Sequence, residues 1–511
     1  MSKKLLLISF VVSLGGFLFG FDAGIISGVM SYVGPEFDLT DAQIGWVVSA
    51  PSWAAMIAMI LSGRLSDGLG RKNMLLLVAL LYSVSALLSA YATNYEMLSL
   101  ARMIGGLAFG SALILAPMYI AEISTAGNRG ILVSIQQLNI VLGFFAAFLS
   151  NYFFNKYNGP DYLFLNDENV WRWMLGVELF PALLYFLMLL IIPQSPRWLY
   201  TKNKFIEAKQ VLSQIHGKQR AEKEISSIEK RIENEKGLSE VKWTDILKPS
   251  FRFILIVGLA VGILQQITGI NAIYFYATSI FKQTGIGTDA AFSSGILLST
   301  VTLVFTCIAM YLIDRVGRRP LMLVGTAGIA ISLLLCSFGF SQARYKLTLQ
   351  DISEFKFENS QNLIPFAGKI YANDVIFKEK MKTSLGSRTY NKNDGILLEA
   401  ATKINATLVL AGILGFIACF AFSLGPVMWV LLSELYPIRY RGIAIGIIAF
   451  VNSFISSAVQ LIFPWELSNL GNYMTFFIFG AIAVAGFFVL LKILPETKGK
   501  SLEELETTLI K

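Results

Sequence analysis

Long apolar runs alternate with short polar ones from one end of the chain to the other. About 20 apolar residues, rising 1.5 Å each, are enough to cross the hydrocarbon core of a bilayer as a helix. Windows that qualify run at approximately 5–30, 43–62, 74–93, 98–121, 130–152, 173–193, 252–280, 291–312, 321–341, 404–430, 442–463 and 474–494. Six precede a long polar stretch from Gln194 to about Ser250, and six follow it. The pattern predicts an all-α membrane protein with twelve transmembrane helices in two six-helix halves. The expected units are an N-terminal bundle over 1–193, a cytoplasmic helical linker over 194–250, a C-terminal bundle over 251–494 with an outer-side insertion at about 342–403, and a cytoplasmic tail over 495–511.

Loop charges orient this pattern. The short loops after even-numbered helices carry Arg64, Arg71 and Lys72, then Arg129, then Arg315, Arg318 and Arg319, then Arg439 and Arg441. Those after odd-numbered helices are poor in Lys and Arg. Basic residues stay on the cytoplasmic side, so both termini are expected there and the chain in the plasma (inner) membrane. In the linker, KFIEAKQVLSQIHG and EISSIEKRIENE repeat apolar residues at helical spacing, which predicts short amphipathic helices under the membrane domain. His216, the only histidine, reads as a surface residue. The outer-side insertion is also basic, but long loops are exempt from the charge rule. Ile370 to Phe377 has β character and points to a small capping element. The sequon Asn405-Ala406-Thr407 lies almost at the membrane, where no glycan is expected.

Composition narrows the function classes. Of 511 residues, 55% are hydrophobic and 15% charged, against roughly a quarter charged in a soluble domain. The net charge of +8 is spread over alternate loops, so the bilayer is the expected partner and nucleic acid is not. Cys307, Cys336 and Cys419 sit apart inside apolar segments and read as packing residues. The start MSKKLLLISFVVSLGGFLFGF has the basic head and apolar run of a secretion signal, but it lacks a convincing small-residue cleavage site and reads as helix 1. No nucleophile with a base, metal-ligand cluster or phosphate-cradling glycine loop is evident. An enzyme is therefore not expected, and no cofactor is implied.

The clearest internal repeat is GRLSDGLGRK (63–72) between helices 2 and 3 and YLIDRVGRRP (311–320) between helices 8 and 9. Each puts an acid, Asp67 or Asp314, four residues before Arg71 or Arg318 in a tight cytoplasmic turn. A second echo pairs AEISTAGNRG (121–130) with SELYPIRYRG (433–442), where Glu122 and Glu434 precede Arg129 and Arg441 by seven residues. Charge pairs across the cytoplasmic face would form a gate that closes when two halves rock together. These motifs, with PQSPRWL (193–199) after helix 6 and PETKGKSLEE (495–504) after helix 12, resemble the sugar porter family of the major facilitator superfamily over nearly the whole chain. That family includes bacterial xylose and arabinose proton symporters and human facilitative glucose transporters. Gln194 stands where the family usually has Glu, and the 342–403 segment is longer than usual.

A sugar needs several hydrogen bonds and an apolar face to stack on. Helix 7, GILQQITGINAIYFYA, carries Gln265, Gln266 and Asn271 beside Gly269, which weakens the helix locally. Helix 5 adds Gln137, helix 10 Trp429 after Gly425-Pro426, and helix 11 Asn452. Any one amide reads equally as interhelical hydrogen-bond glue, but five with a tryptophan point to a pocket. The resemblance implies sugar contacts at Gln137, Gln265, Gln266, Asn271 and Trp429, and at Asn452 and Phe19. Thr302 replaces a usual Asn, and Phe144 a Gln of the xylose symporters, so pentose and hexose both remain open.

Asp22 on helix 1, Arg102 on helix 4 and Glu178 on helix 6 fall inside apolar windows. At 1.5 Å per residue all three reach about the same depth in the outer half of the bilayer. An intramembrane carboxylate is costly and is read as paired and functional. Competition between a proton and Arg102 for Asp22 makes a switch. The resemblance implies acids at the positions of Asp22 and Glu178 in proton-coupled members and uncharged residues in facilitative ones. The expected function is proton-coupled monosaccharide uptake by a monomer. Proton-independent facilitation and a non-transporting sugar sensor are the alternatives.

Overall fold

Inside hydrocarbon no water is available to a free N–H or C=O, so a segment crosses by pairing its backbone within itself. The apolar windows fold accordingly. The structure, a computed structural model, describes residues 2–125, 128–159, 164–219, 221–226, 229, 243–499 and 504, without the side chains of 129, 243, 438 and 439. Among the described residues, 12 helices are long and apolar enough to span a membrane. Spans 1–6 are Lys3–Glu36, Asp41–Leu69, Arg71–Ala90, Tyr95–Ile123, Gly130–Lys156 and Val170–Ile191. Spans 7–12 are Pro249–Phe275, Thr288–Val316, Arg318–Ser341, Ala406–Leu435, Tyr440–Asn469 and Gly471–Ile493. Each predicted window overlaps one of them, and the chain is a multi-pass membrane protein.

The helices pack as two units that differ from the expected split at residue 193. One comprises 1–22, 50–146 and 175–242; the other comprises 23–49, 147–174 and 243–511. The second therefore includes the ends of spans 1, 2, 5 and 6 that the loop charges assign outward. Specific contacts hold them there. The Ser27 and Thr278 hydroxyls bond at 3.0 Å, and the Thr278 N–H donates to Ser27 Oγ at 3.0 Å. Tyr32 donates to Asn155 at 2.7 Å, and Asn155 donates to Asp289 at 2.7 Å. Phe148 fills the space that Gly295 leaves in span 8.

In the first unit the linker begins with Ser195, which caps helix Pro196–Thr201 by accepting from the Trp198 N–H. Helix Phe205–His216 buries Ala208, Leu212 and Ile215, one helical face, as the periodicity predicts. His216 is not a plain surface residue: its Nε2 lies 2.8 Å from the Ile123 carbonyl, one of those that the end of span 4 leaves unpaired. The second predicted amphipathic helix falls mostly outside the described residues.

The outer-side insertion is a small helical element with its own core, including Ile352, Leu363, Phe377 and Met381. Strands Arg344–Tyr345 and Thr402–Lys403 pair antiparallel and close its base. The β character expected over 370–377 reduces to one bridge, Tyr371 to Tyr345. Asn373 then accepts from the Val375 N–H at 2.7 Å and starts helix Asp374–Leu385, which takes in Phe377. Asn405 of the sequon caps span 10 by accepting from the Leu408 N–H at 3.1 Å.

The repeated turns between spans 2 and 3 and between spans 8 and 9 pivot on Gly70 (φ 91°) and Gly317 (φ 107°). A Cβ on Gly317 would also lie 2.8 Å from the Glu496 carboxylate. By contrast, Gly68 is helical and faces open space. Gly317→Ala is expected to cost about 1–3 kcal/mol through positive φ and crowding, while Gly68→Ala gains up to about 1 kcal/mol. Thermal unfolding of both purified variants checks this, and a Gly317→Ala protein as stable as the parent contradicts it.

Candidate functional site

Three spans are interrupted where the sequence supplies Gly, Pro or a hydroxyl. In span 7, Gly269 (φ 86°) separates helix Arg252–Ile267 from helix Ile270–Phe275. Its N–H turns to the Gln266 carbonyl at 3.0 Å, and the Thr268 hydroxyl donates instead to the Gln265 carbonyl at 3.2 Å. In span 10, Ser423 divides helix Ala406–Phe422 from helix Leu424–Leu435, and its hydroxyl donates to the Cys419 carbonyl at 2.5 Å. In span 6, Pro181 has no N–H for the Val177 carbonyl, which accepts from Phe180 at 3.2 Å.

Around the first two breaks, within the second unit, four of the five predicted amides come together, Gln137 being the exception. Gln265 Nε2 donates to the Leu424 and Gly425 carbonyls at 2.9 and 3.3 Å. Gln266 Nε2 donates to Gln265 Oε1 at 3.1 Å and to Asn452 Oδ1 at 3.2 Å. Asn452 Nδ2 donates to Gln265 Oε1 and to the Gly262 carbonyl, both at 2.8 Å. Asn271 Nδ2 donates to Gln266 Oε1 at 2.9 Å and to Ser456 Oγ at 2.6 Å. Gln460 extends the row to Ser456 at 2.8 Å. Gln265, Gln266 and Asn452 are buried, whereas Trp429, four residues beyond Gly425, is 42% exposed and offers an apolar face. Thr302 bonds the Tyr274 hydroxyl at 2.9 Å. Ser456 and Gln460 escaped the sequence reading although they follow Asn452 at i+4 and i+8 on one helix face; that spacing was the available signal.

The charges predicted at one depth meet in the first unit. Arg102 Nη1 donates to Asp22 Oδ1, and both side chains are buried. Glu178, on the span 6 interruption, is buried within Coulombic reach of both. Tyr82, missed in the sequence, donates to the Gly15 carbonyl at 3.1 Å and is Coulombically coupled to Glu178 and Asp22. Arg102 Nε has no hydrogen-bond partner among the described residues. Phe19 packs on Phe109, with ring centroids 4.7 Å apart, and Gln137 is half-buried. Both lie in the first unit.

The repeated charge motifs form the same network twice, each copy within its unit. Arg71 binds Asp67 at 2.6 Å and Glu122 at 3.1 Å; Arg318 binds Asp314 at 2.9 Å and Glu434 at 2.7 Å. Ser195 donates to Glu122, and Thr497 donates to Glu434 at 2.6 Å. Gln194 Oε1 caps span 3 by accepting from the Lys72 N–H at 2.8 Å; Glu496 caps span 9 by accepting from the Arg318 and Arg319 N–H groups at 3.2 and 3.1 Å. Glu122 and Glu434 thus each bind the arginine of a repeated turn, Arg71 and Arg318. The Arg129 side chain lies outside the described residues. Arg441 Nε donates to the Tyr436 carbonyl at 3.3 Å, while its Nη2 is buried without a partner among the described residues.

These features can be set beside known proteins. The model of the family "Sugar (and other) transporter" matches residues 8–348 and 387–509. The arabinose-proton symporter of Bacillus subtilis is 32% identical over 99% of this chain and 95% of its own length. The glucose transporter GlcP of Staphylococcus epidermidis is 31% identical over 98% of this chain and 96% of its own. The inward-open conformation of the Escherichia coli xylose transporter XylE superposes with a TM-score of 0.75 at 27% identity, covering 99% of this chain and 100% of that one. A duplicated helix-turn network, an amide row gathered around two broken spans and a match along the chain lead to one conclusion: this protein belongs to the sugar transporter family, a family of transporters and not of enzymes.

Proposed function

We propose that the chain is a proton-coupled importer of a monosaccharide, a pentose or a hexose, working by alternating access in the plasma membrane with both termini in the cytoplasm. The observation that carries the coupling is the buried Asp22–Arg102 pair beside buried Glu178. A carboxylate in the membrane is expensive unless partnered, so Asp22 stays ionised while Arg102 holds it. When the pair parts, burial favours the protonated acid, and the freed guanidinium has Glu178 within reach. The related arabinose-proton symporter supports the coupling, and the relatives named for arabinose, glucose and xylose support the substrate class.

The amide row and Trp429 of the second unit suit a sugar, and Phe19 and Gln137 of the first unit are each a proposed sugar contact in their own right. Gln266 and Asn271 are the best placed donors and acceptors, because they flank the Gly269 break and move with it. We also propose that the cytoplasmic charges form the inner gate. Arg71 and Arg318 already bind two carboxylates each. Arg441 makes no ion pair among the described residues and its unpartnered Nη2 suits an acceptor met in the inside-closed state, so Arg441 is the proposed gating residue.

Gln266→Ala and Trp429→Ala are each expected to weaken sugar binding about tenfold or more, because a buried hydroxyl or a stacking face loses its partner. Calorimetric titration with a panel of pentoses and hexoses measures this; parental affinity in both variants for every sugar eliminates the pocket. Arg441→Ala should raise the accessibility of a cysteine probe on the cytoplasmic side, and unchanged labelling argues against the gate. For Asp22→Asn, which imitates the protonated carrier, counterflow in proteoliposomes should persist while gradient-driven accumulation disappears. A melting curve on the same sample accounts for the several kcal/mol that an unpaired Arg102 costs. Accumulation at the parental level would move the coupling role to Glu178 or to facilitated diffusion.

A further inference from the structure

Residues 349–386 fall outside the match to the family model, yet they are tied to the stretch that follows the helix of Asn271. Beyond the Gly269 break, the chain of span 7 continues as helix Ile270–Phe275, is interrupted again at Tyr276, and ends as helix Ala277–Lys282. Thr278 attaches this last segment to Ser27. Gln283, just past its end, is held from another direction. Its Oε1 accepts from Lys378 Nζ of the insertion at 2.7 Å and from Asn472 Nδ2 of span 12 at 2.6 Å. Asp374 completes the node, accepting from Lys378 Nζ at 2.9 Å, Asn472 Nδ2 at 3.0 Å and the Asn472 N–H at 3.3 Å.

Asp374 and Asn472 are 7% and 1% exposed, so solvent does not screen these bonds as it does surface pairs. The insertion touches the same stretch at further points. A Cβ on Gly285 (φ 72°) would lie 2.8 Å from Thr402, and one on Gly287 (φ 82°) 2.9 Å from the Glu399 carboxylate. Lys282 and Asp394 also attract each other Coulombically.

We infer that Gln283, Asp374, Lys378 and Asn472 are positioning residues, that the arrangement of the outer segment of span 7 in this structure is a form closed to the outside, and that the insertion is a strap holding it there. A short helix between two breaks moves as a piece without losing its internal hydrogen bonds, so its end contacts set its position. Contacts made in one arrangement alone stabilise that arrangement. Asn271 lies on the same stretch, two residues past Gly269, so the strap also biases the amide row. That last consequence rests on the proposed substrate site, whereas the strap itself does not.

Gln283 engages the node only through its carbonyl oxygen. Gln283→Glu keeps an acceptor for Lys378 and Asn472; Gln283→Ala removes it. Phe148, fully buried against Gly295 on the outer half of span 8, provides a distant reporter as Phe148→Cys. The full-length protein in proteoliposomes, without sugar or a proton gradient, is labelled from outside with a membrane-impermeant maleimide. Background is taken from the chain lacking Phe148→Cys. Gln283→Ala and Lys378→Ala should each label roughly tenfold faster than the reporter alone, the shift expected from losing a charge-assisted bond made only in the closed form. Gln283→Glu should label at the reporter's own rate. Unchanged labelling in the two alanine variants, with melting curves showing them folded, overturns the inference, as does equally fast labelling of Gln283→Ala and Gln283→Glu. Neither result touches the sugar reading, which is tested by binding.

Discussion

A carbonyl or amide left unpaired in hydrocarbon costs several kcal/mol, so a membrane helix can be broken only where something else takes over its hydrogen bonds. This constraint accounts for where the chemistry of this protein sits. Gly269 turns the chain, and the Thr268 hydroxyl covers the Gln265 carbonyl that the turn releases. Ser423 does the same for Cys419 in span 10. Having paid for the break locally, the chain exposes polar atoms at its edges, and Gln265 reaches across to the Leu424 and Gly425 carbonyls beside the second break. The amides are therefore part of the solution to backbone satisfaction as well as groups available to a ligand. Glu178 occupies the third interruption, above Pro181.

The same accounting explains the duplicated charge network. Each tight turn leaves the first N–H groups of span 3 or span 9 without intrahelical partners, and a side chain from a distant segment supplies the acceptor. Glu496 does this with a full charge at a helix N-terminus, which the helix dipole favours; Gln194 does it as a neutral amide. The glycines follow from this arrangement. Gly317 leaves room for the carboxylate and adopts the positive φ that lets the chain reverse under it.

Most of the fold was legible because its signal is redundant: twenty apolar residues in a row have one stable solution in lipid. The meeting of Asp22 and Arg102 was legible from depth alone, since rise per residue is a fixed ruler. Pairings were harder. The arginine partners of Glu122 and Glu434 lie 51 and 116 residues earlier in the chain, a separation that no local spacing marks, whereas the seven-residue echo put Arg129 and Arg441 in view. Pro193-Gln194-Ser195 and Pro495-Glu496-Thr497 held the missing signal, because they are the two copies of one capping element. The insertion was opaque for a different reason. Its helices are capped by single side chains such as Asn373, and alternation over a few residues outweighed them.

The amide row also constrains what kind of recognition it can perform. Gln265 Oε1 already accepts from both Gln266 and Asn452, and Asn271 donates to both Gln266 and Ser456. A hydroxylated ligand therefore exchanges amide–amide bonds for amide–hydroxyl bonds and gains little from their number. What it gains is the apolar face of Trp429, together with the cost that a misplaced hydroxyl imposes by leaving one buried amide unpaired. At the sugar site proposed above this trade favours discrimination over affinity, which suits a carrier, since a substrate held too tightly in one arrangement would deepen that state and slow its release from the other.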